Sequence, residues 1–225
     1  MWTPGNREPI VAFSCSRKDN YRRDFWPAYK AHRDGKPSPT HLRTTIQWIT
    51  DRYQTVKQPR LEADDLLGYY MTADDAICVT KDKDLKSVPG WFWDPEKTGF
   101  PVFGSVEEAD RMFYAQWMTG DTTDNIPGIH RCGPKAAEKL LDQWRPDTWG
   151  DRIMDHYISI RNDQVKWKGK DGTQHSGTRS NLLEEKFGWF DGHDRAFALA
   201  QARCIRILRA GEIDTETWEP ILWSP

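Results

Sequence analysis

The hydrophobic pattern divides the chain into short elements of both kinds. Ile10-Val11-Ala12-Phe13-Ser14 is an apolar run of the length and character of a buried strand. Pro37 and Pro39 break the chain after it. Leu42, Ile46 and Ile49 then recur at helical spacing, which predicts a helix over about 41–52 with Thr40 as its cap. Thr55-Val56-Lys57-Gln58 reads as a second short strand ended by Pro59. The run Ala76 to Thr80 lacks polar alternation, as a central parallel strand does. Gly90 to Trp93 and Phe100 to Phe103 flank a turn-rich connection and predict a hairpin. Ser105 with Glu108 forms a capping box that opens a helix through about Met118. Helical periodicity returns from Asp194 to Ala210, with Ala198, Ile205 and Leu208 on one face. Strands interleaved with helices predict an α/β fold, and no internal repeat is present.

The 225 residues admit one large or two small domains, and one compact unit with appendages is expected. The net charge of −2 points to no polyanion by itself, so any such binding rests on local segregation of charge. Residues 17–36 carry seven basic side chains against three acidic ones, whereas residues 62–84 carry seven acidic side chains, Asp74 and Asp75 among them, against two lysines. The four cysteines form no CxxC pair, and no stretch reads as a signal peptide or membrane span, which predicts a reducing, cytoplasmic setting. Scattered histidines argue against zinc. The 12 tryptophans are expected mainly in core packing and surface anchoring rather than base stacking.

The candidate chemistry lies in three acidic blocks. Glu62, Asp64 and Asp65 open a predicted helix, with more carboxylates than capping requires. Asp82 and Asp84 follow the Ala76–Thr80 strand at its carboxyl end, where open α/β sheets bind ligands. Ser87 and Trp93 stand where a calcium loop would need Gly and Glu, which disfavours that class. Asp121 and Asp124 lead into a turn framed by Gly128 and Gly133. Pro134 suits the first position of the next helix, whose N-terminus offers free amides beside Lys135 and Lys139. Seven oxygen ligands suit Mg²⁺ or Mn²⁺. Two such ions roughly 3.5 to 4 Å apart would serve phosphodiester hydrolysis, with Lys30 or Arg22 neutralising the scissile phosphate. The basic turn Lys166 to Gly172, Lys170 included, reads as a solvated loop.

Four elements in this order resemble the 5′-to-3′ exonuclease and flap endonuclease family. They are Phe13 to Arg33 with its Tyr-Lys-Ala-His-Arg, Leu61-Glu62-Ala63-Asp64-Asp65, Thr80-Lys81-Asp82-Lys83-Asp84-Leu85, and Gly120-Asp121 through Lys135. The ending Ala202 to Arg209 with Leu222 to Pro225 is similar to the stand-alone phage exonucleases. The resemblance implies a PIN-like parallel-sheet nuclease core over 1–119 and a helix-hairpin-helix module with a helical region over 120–225. It implies Asp64, Asp82, Asp84, Asp121 and Asp124 at a second metal and Glu62 with Asp64 at a first. Lys30 would be the active-site lysine and Arg22 its phosphate-binding companion. Arg33, Gly128, Ile129, Gly133, Lys135 and Lys139 would bind DNA, in part through backbone amides and with a K⁺ ion at the module. The implied substrate is duplex DNA with a 5′ end, flap or nick, read by shape and phosphates. The implied protein is a monomer in the host cytoplasm.

The family pattern also carries an aspartate upstream of the Phe13 strand, where Met1 leaves no room. It carries another just after that strand, where this chain has Ser14-Cys15-Ser16, with Asp19 further along. Both belong to the first metal. The expectation is therefore either an N-terminal truncation or misassigned start, or a catalytically weak or inactive homologue that binds branched or nicked duplex. Gly128 to Lys135 disfavours an RNA-directed PIN-like nuclease, which needs no hairpin module.

Overall fold

The computed structural model describes residues 8–74, 76–160, 163–169, 171–187 and 194–225. Asp75 of the acidic block and Lys170 of the basic turn lie outside them. The chain forms two compact units, Met1–Phe113 with Arg206–Trp223, and Tyr114–Ile205 with Ser224–Pro225. The sequence reading drew its border at 119/120 and left the C-terminal segment with the second unit.

In the first unit, strand β1 (Ile10–Phe13) pairs in parallel with β2 (Gln54–Lys57). Between them come the short helix α1 (Arg22–Phe25) and helix α2 (Leu42–Thr50). Helix α3 (Ala63–Ala73) leads to β3 (Ile77–Val79), which runs parallel to β4 (Gly90–Trp93). The predicted hairpin forms, with β4 antiparallel to β5 (Val102–Gly104). Helix α4 (Val106–Thr119) starts at the predicted box: Glu108 accepts from the Ser105 amide at 2.9 Å, and the Glu108 amide donates to the Ser105 hydroxyl at 3.2 Å. Two apolar clusters fill this unit. Tyr21, Leu61, Leu66, Leu208 and Ile213 form one, and Met71, Cys78, Leu85, Val88 and Ile207 the other.

Four expectations are corrected. Among the described residues β3 bonds only to β4, and Val79 is 52% exposed, so β3 borders its sheet instead of crossing the centre. β1 is only half-buried. Helix α2 forms where expected but Thr40 does not cap it, and its Leu42, Ile46 and Trp48 face solvent. The predicted helix 194–210 stops at Ile205. Beyond that residue the backbone turns to tertiary partners, with the Arg206 carbonyl accepting from Arg22 at 2.8 Å and the Leu208 amide donating to Asp65 at 3.3 Å. Periodicity cannot register such a competition for backbone groups. The close approach uses Gly68 of α3, where an added Cβ would stand 2.4 Å from the Leu208 carbonyl oxygen.

The second unit is mainly helical. It holds α5 (Pro134–Gln143), α6 (Trp149–Ser159), a hairpin of β6 (Gln164–Lys168) and β7 (Gln174–Thr178), α7 (Arg179–Phe187) and α8 (Asp194–Ile205). Trp117 is its central aromatic. The indole donates to the Ala198 carbonyl at 2.8 Å and stacks on Tyr157, whose hydroxyl donates to the Trp117 carbonyl at 2.7 Å. Trp26, Trp117 and Trp149 are buried, in keeping with a packing role for tryptophan.

Candidate active site

Position 62 is where the chain enters α3, and it lies against the end of β1. The Cys15 amide donates to the Leu61 carbonyl at 2.8 Å, and the Ala63 amide donates to the Ser14 hydroxyl at 3.0 Å. These bonds bring Cys15 beside Glu62. Asp65, three residues into the turn, accepts from the Glu62 amide at 3.0 Å, as an N3 carboxylate in a capping box does.

Arg22 is buried against this turn. Its two terminal nitrogens each donate to one Asp65 oxygen at 2.7 Å, and Nη1 lies 3.4 Å from Glu62. Arg22 and Asp65 are both out of water, at 2% and 0% exposure. This is an internal, bidentate pair. Arg22 therefore has no open face toward a phosphate, and Asp65 has no oxygen turned toward an ion. For these two residues the geometry replaces the sequence expectation with a framework role.

Lys30 is the cation that does reach the surface of the site. Its ammonium donates to Glu62 Oε1 at 2.7 Å, while the Tyr29 hydroxyl donates to Oε2 at 2.7 Å. The Lys30 backbone is left-handed, with φ 52°. A non-glycine residue there is uncommon, and such outliers gather at functional sites. The cleft in front is lined by Arg17, Lys30, Arg33, Lys36, Cys15 and Glu62 and has a volume of about 420 Å³. Three further cations, Arg33 among them, thus surround the Lys30–Glu62 pair.

The carboxylates of this unit differ sharply in environment. Burial alone would raise the Glu62 carboxyl, but Arg22, Lys30 and the hydrogen bonds from Lys30 and Tyr29 hold it down at about 2. Asp64 is its opposite. Burial, then the charges of Glu62, Asp82 and Asp65, push its carboxyl up to about 6, with Lys30 opposing. Asp82 caps the short 3-10 helix Lys83–Ser87 by accepting from the Asp84 amide at 2.9 Å, and Asp84 is half-buried. Cys15 takes the place of an expected aspartate, and burial with the charges of Glu62, Asp19 and Asp65 pushes its thiol up to about 11. Asp19 accepts from the Ser16 hydroxyl at 2.7 Å.

Among the described residues, no three histidine, cysteine or carboxylate side chains converge closely enough to hold a metal ion by themselves. The donor chemistry nonetheless fits a hard cation. Glu62, Asp64 and Asp82 are oxygen donors whose mutual repulsion an ion would relieve.

The second unit contributes Asp121 and Asp124 on one turn. Asp121 pairs with Ile126 as a two-bond bridge and caps the residues Thr122–Asp124, its side chain accepting from the Thr123 amide at 2.7 Å. Gly120 and Gly128 then cross at contact distance. Both have positive φ, 70° and 65°, and a Cβ on either would lie 2.4 Å from backbone atoms of the other strand of the turn. Here glycine is required on both counts.

The Gly128 and Ile129 amides of this turn are already spent. The Gly128 N–H donates to Gln201 at 2.8 Å, the Gly128 carbonyl accepts from Arg179 at 2.9 Å, and the Ile129 N–H donates to the Met118 carbonyl at 2.7 Å. The expected amide grip by Gly128 and Ile129 is corrected accordingly. Gly133 caps α5 with Pro134 at its first position, as expected, and Lys135 and Lys139 are exposed on that helix. Arg179 and Gln201, which hold the turn, carry no sequence signal, since their partners lie 51 and 73 residues away.

No family profile matches the chain. Among curated proteins, the exonuclease of Escherichia phage T7 is 25% identical over 236 residues, covering 96% of this chain and 73% of its own length. The exodeoxyribonuclease of Enterobacteria phage T3 is 24% identical with the same coverage. DNA polymerase I of Rhizobium leguminosarum is 32% identical over 152 residues, 60% of this chain but only 15% of that protein. Among solved structures, the T5 5′-exonuclease with bound zinc superposes with a TM-score of 0.57 at 13% identity, over 88% of this chain and 74% of that one. That likeness gives the PIN-like α/β fold. Through these relationships the chain is a homologue of the phage T7 and T3 exonucleases and is similar over 60% of its length to part of DNA polymerase I.

Proposed function

We propose that the chain is a divalent-metal-dependent 5′-to-3′ exonuclease and flap endonuclease that hydrolyses DNA phosphodiesters in phage DNA metabolism. The observation that carries this reading is the cleft in which Arg17, Lys30, Arg33 and Lys36 surround Glu62. Cations over a carboxylate floor suit a substrate that is itself anionic and is cut beside a metal. Mg²⁺ or Mn²⁺ would be held by Glu62, Asp64, Asp82 and Asp84 of the first unit, and the family resemblance also implies Asp121 and Asp124 as metal ligands. Such ions would lower the pKa of an attacking water and stabilise the leaving oxygen. Lys30 neutralises the phosphate under attack, and its bond to Glu62 fixes its position before substrate arrives. Arg22 and Asp65 act as positioning residues, holding the turn from which Glu62 and Asp64 project. Lys135, Lys139 and the N-terminus of α5 bind duplex phosphates, a K⁺ ion is proposed at that module, and the protein acts as a cytoplasmic monomer.

Incubation with 5′-labelled duplex and flapped DNA in Mg²⁺, alongside Asp84→Ala and Asp124→Ala, tests the reading. The parent should cleave and both variants should lose at least about 100-fold. Equal cleavage by all three would overturn the metal assignment. A second reading, a catalytically weak DNA-binding homologue, draws on Cys15 standing in a carboxylate's place. It predicts salt-sensitive binding to branched or nicked duplex without cleavage in any metal.

A further inference from the structure

A cavity of about 320 Å³ in the first unit lies between the β4–β5 hairpin, the 3-10 helix Lys83–Ser87 and α4, and it shares no lining residue with the Glu62 cleft. Val88, Phe92, Val102 and Met112 make its surface apolar, and the exposed Lys83 and Lys86 stand beside them. The Lys86 ammonium lies 5.5 Å from the centre of the Phe92 ring. Both carboxylates that line the cavity are engaged. Asp94 pairs with Lys97 at 2.9 Å and accepts from the Glu96 amide at 3.1 Å, and Glu108 accepts from the Ser105 amide and hydroxyl at 2.9 Å. Among the described residues Lys83 and Lys86 have no carboxylate within ion-pair distance. One wall is an open sheet edge. Among the described residues β5 pairs only with β4, and no backbone bond outside that ladder reaches Val102, Phe103 or Gly104. Val102 and Phe103 are 48% and 54% exposed. Edge strands are ordinarily guarded by a charge, a proline or a covering element, and residues 102–104 carry neither charge nor proline. Gly104 leaves a notch in this wall, where an added Cβ would meet nothing nearer than the Gly90 carbonyl oxygen at 3.9 Å.

We infer that this edge docks an extended acidic segment of a partner protein, which adds a strand to β5, places one apolar side chain in the cavity and sets its carboxylates against Lys83 and Lys86. Charge selects this occupant. A second copy of the chain would pair the edge with itself about a two-fold axis and bring like lysines into one interface. A nucleic acid would carry phosphates toward Asp94 and Glu108 as well as the lysines, and it has no amides and carbonyls to continue a strand ladder. The inference stands apart from the nuclease reading, since none of these residues lines the Glu62 cleft.

The test is fluorescence polarisation of the full chain with labelled short peptides. One alternates Glu with Val and Phe, a second has Lys for every Glu, and a third has Ala for every apolar residue. The acidic apolar peptide should bind, and the other two at least about 10-fold more weakly. Lys86→Glu reverses one charge beside the cavity, and Gly104→Val fills the notch with a residue suited to a strand. Each should weaken the acidic peptide by at least about 10-fold, with far-UV circular dichroism and cleavage of flapped DNA as in the parent. Lys86→Glu should also bind the lysine peptide more tightly than the parent does, a charge swap that decides the matter alone if Gly104→Val fails to fold. No binding of the acidic peptide, or binding that Lys86→Glu leaves unchanged, overturns the inference. A labelled oligothymidylate whose affinity falls in both variants while the peptide's does not would assign the edge to nucleic acid and overturn it too. So would a dimer of the parent in sedimentation that Gly104→Val dissolves.

Discussion

Arg22 and Asp65 meet through two 2.7 Å bonds with both side chains buried, and around them converge the Glu62 amide, the Arg206 carbonyl and the Leu208 amide. Breaking one half leaves an unpaired buried charge. Arg22→Ala or Asp65→Ala should therefore cost roughly 3 to 5 kcal/mol of stability, read from urea denaturation. Arg22→Lys, which cannot satisfy two oxygens in one plane, should lower stability before it lowers the cleavage rate of the folded fraction. A folded, stable Arg22→Ala with a selective rate loss would instead restore Arg22 to the phosphate.

Glu62 and Asp64 predict opposite pH dependences. The Asp64 carboxyl, raised from 3.8 to about 6, contributes stability that is complete below pH 3.8 and lost as pH rises through about 6. The Glu62 carboxyl, lowered from 4.5 to about 2, contributes stability present above pH 4.5 and lost as pH falls through about 2. Melting temperature in EDTA should fall on both sides of an acidic optimum. Asp64→Asn should flatten the upper limb alone, and Mg²⁺ at pH 7.5 should stabilise the parent more than this variant.

Lys30 should be needed for turnover and not for folding. Lys30→Ala should lower the cleavage rate by about 100-fold or more while far-UV circular dichroism is unchanged. Similar KM values would assign the loss to the reacting phosphate, whereas a pure KM effect would assign Lys30 to binding.

Cys15 lies where one more carboxylate would face Glu62. Cys15→Asp should destabilise the metal-free protein, because Glu62, Asp19 and Asp65 already disfavour a negative charge at that position. The same variant should show a larger Mg²⁺-induced thermal shift than the parent and cleave at least about 10-fold faster. No change in metal response would remove Cys15 from the site.

Gly120 and Gly128 tolerate no side chain. Gly120→Ala or Gly128→Ala should cost more than about 3 kcal/mol, combining left-handed strain with a backbone clash, and should abolish duplex binding by the second unit in a gel-shift assay.

Local chemistry was legible in the sequence. Ser105 with Glu108, Gly133 with Pro134, and the Gly90 to Phe103 hairpin each involve partners a few residues apart or a cross-strand pattern, and each forms as expected. The acidic blocks were legible as candidates because carboxylates exceeded what capping needs. What escaped was how long-range bonds divide the residues. Arg22 and Asp65 read as site residues until 43 positions of separation are closed by a bidentate pair. Gly128 reads as an amide donor until Gln201 and Arg179 take both its polar groups. The helix after Asp194 ends at Ile205 for the same reason, since distant partners claim the next residues' backbone.

That last segment has a consequence for the order of events in the cell. The core around Tyr21, Leu61 and Leu66 is completed by Leu208 and Ile213, and the Asp65 carboxylate is completed by the Leu208 amide. A ribosome delivers these partners only after Tyr114–Ile205 of the second unit has been synthesised. The amino-terminal part, with its cationic cleft, stays half-finished while the intervening 92-residue stretch Tyr114–Ile205 is made, and closing it ties the two ends of that stretch into one loop. The nascent chain therefore carries its cationic cleft before it carries the Arg206 and Leu208 backbone groups that bind Arg22 and Asp65 beneath the Glu62 turn.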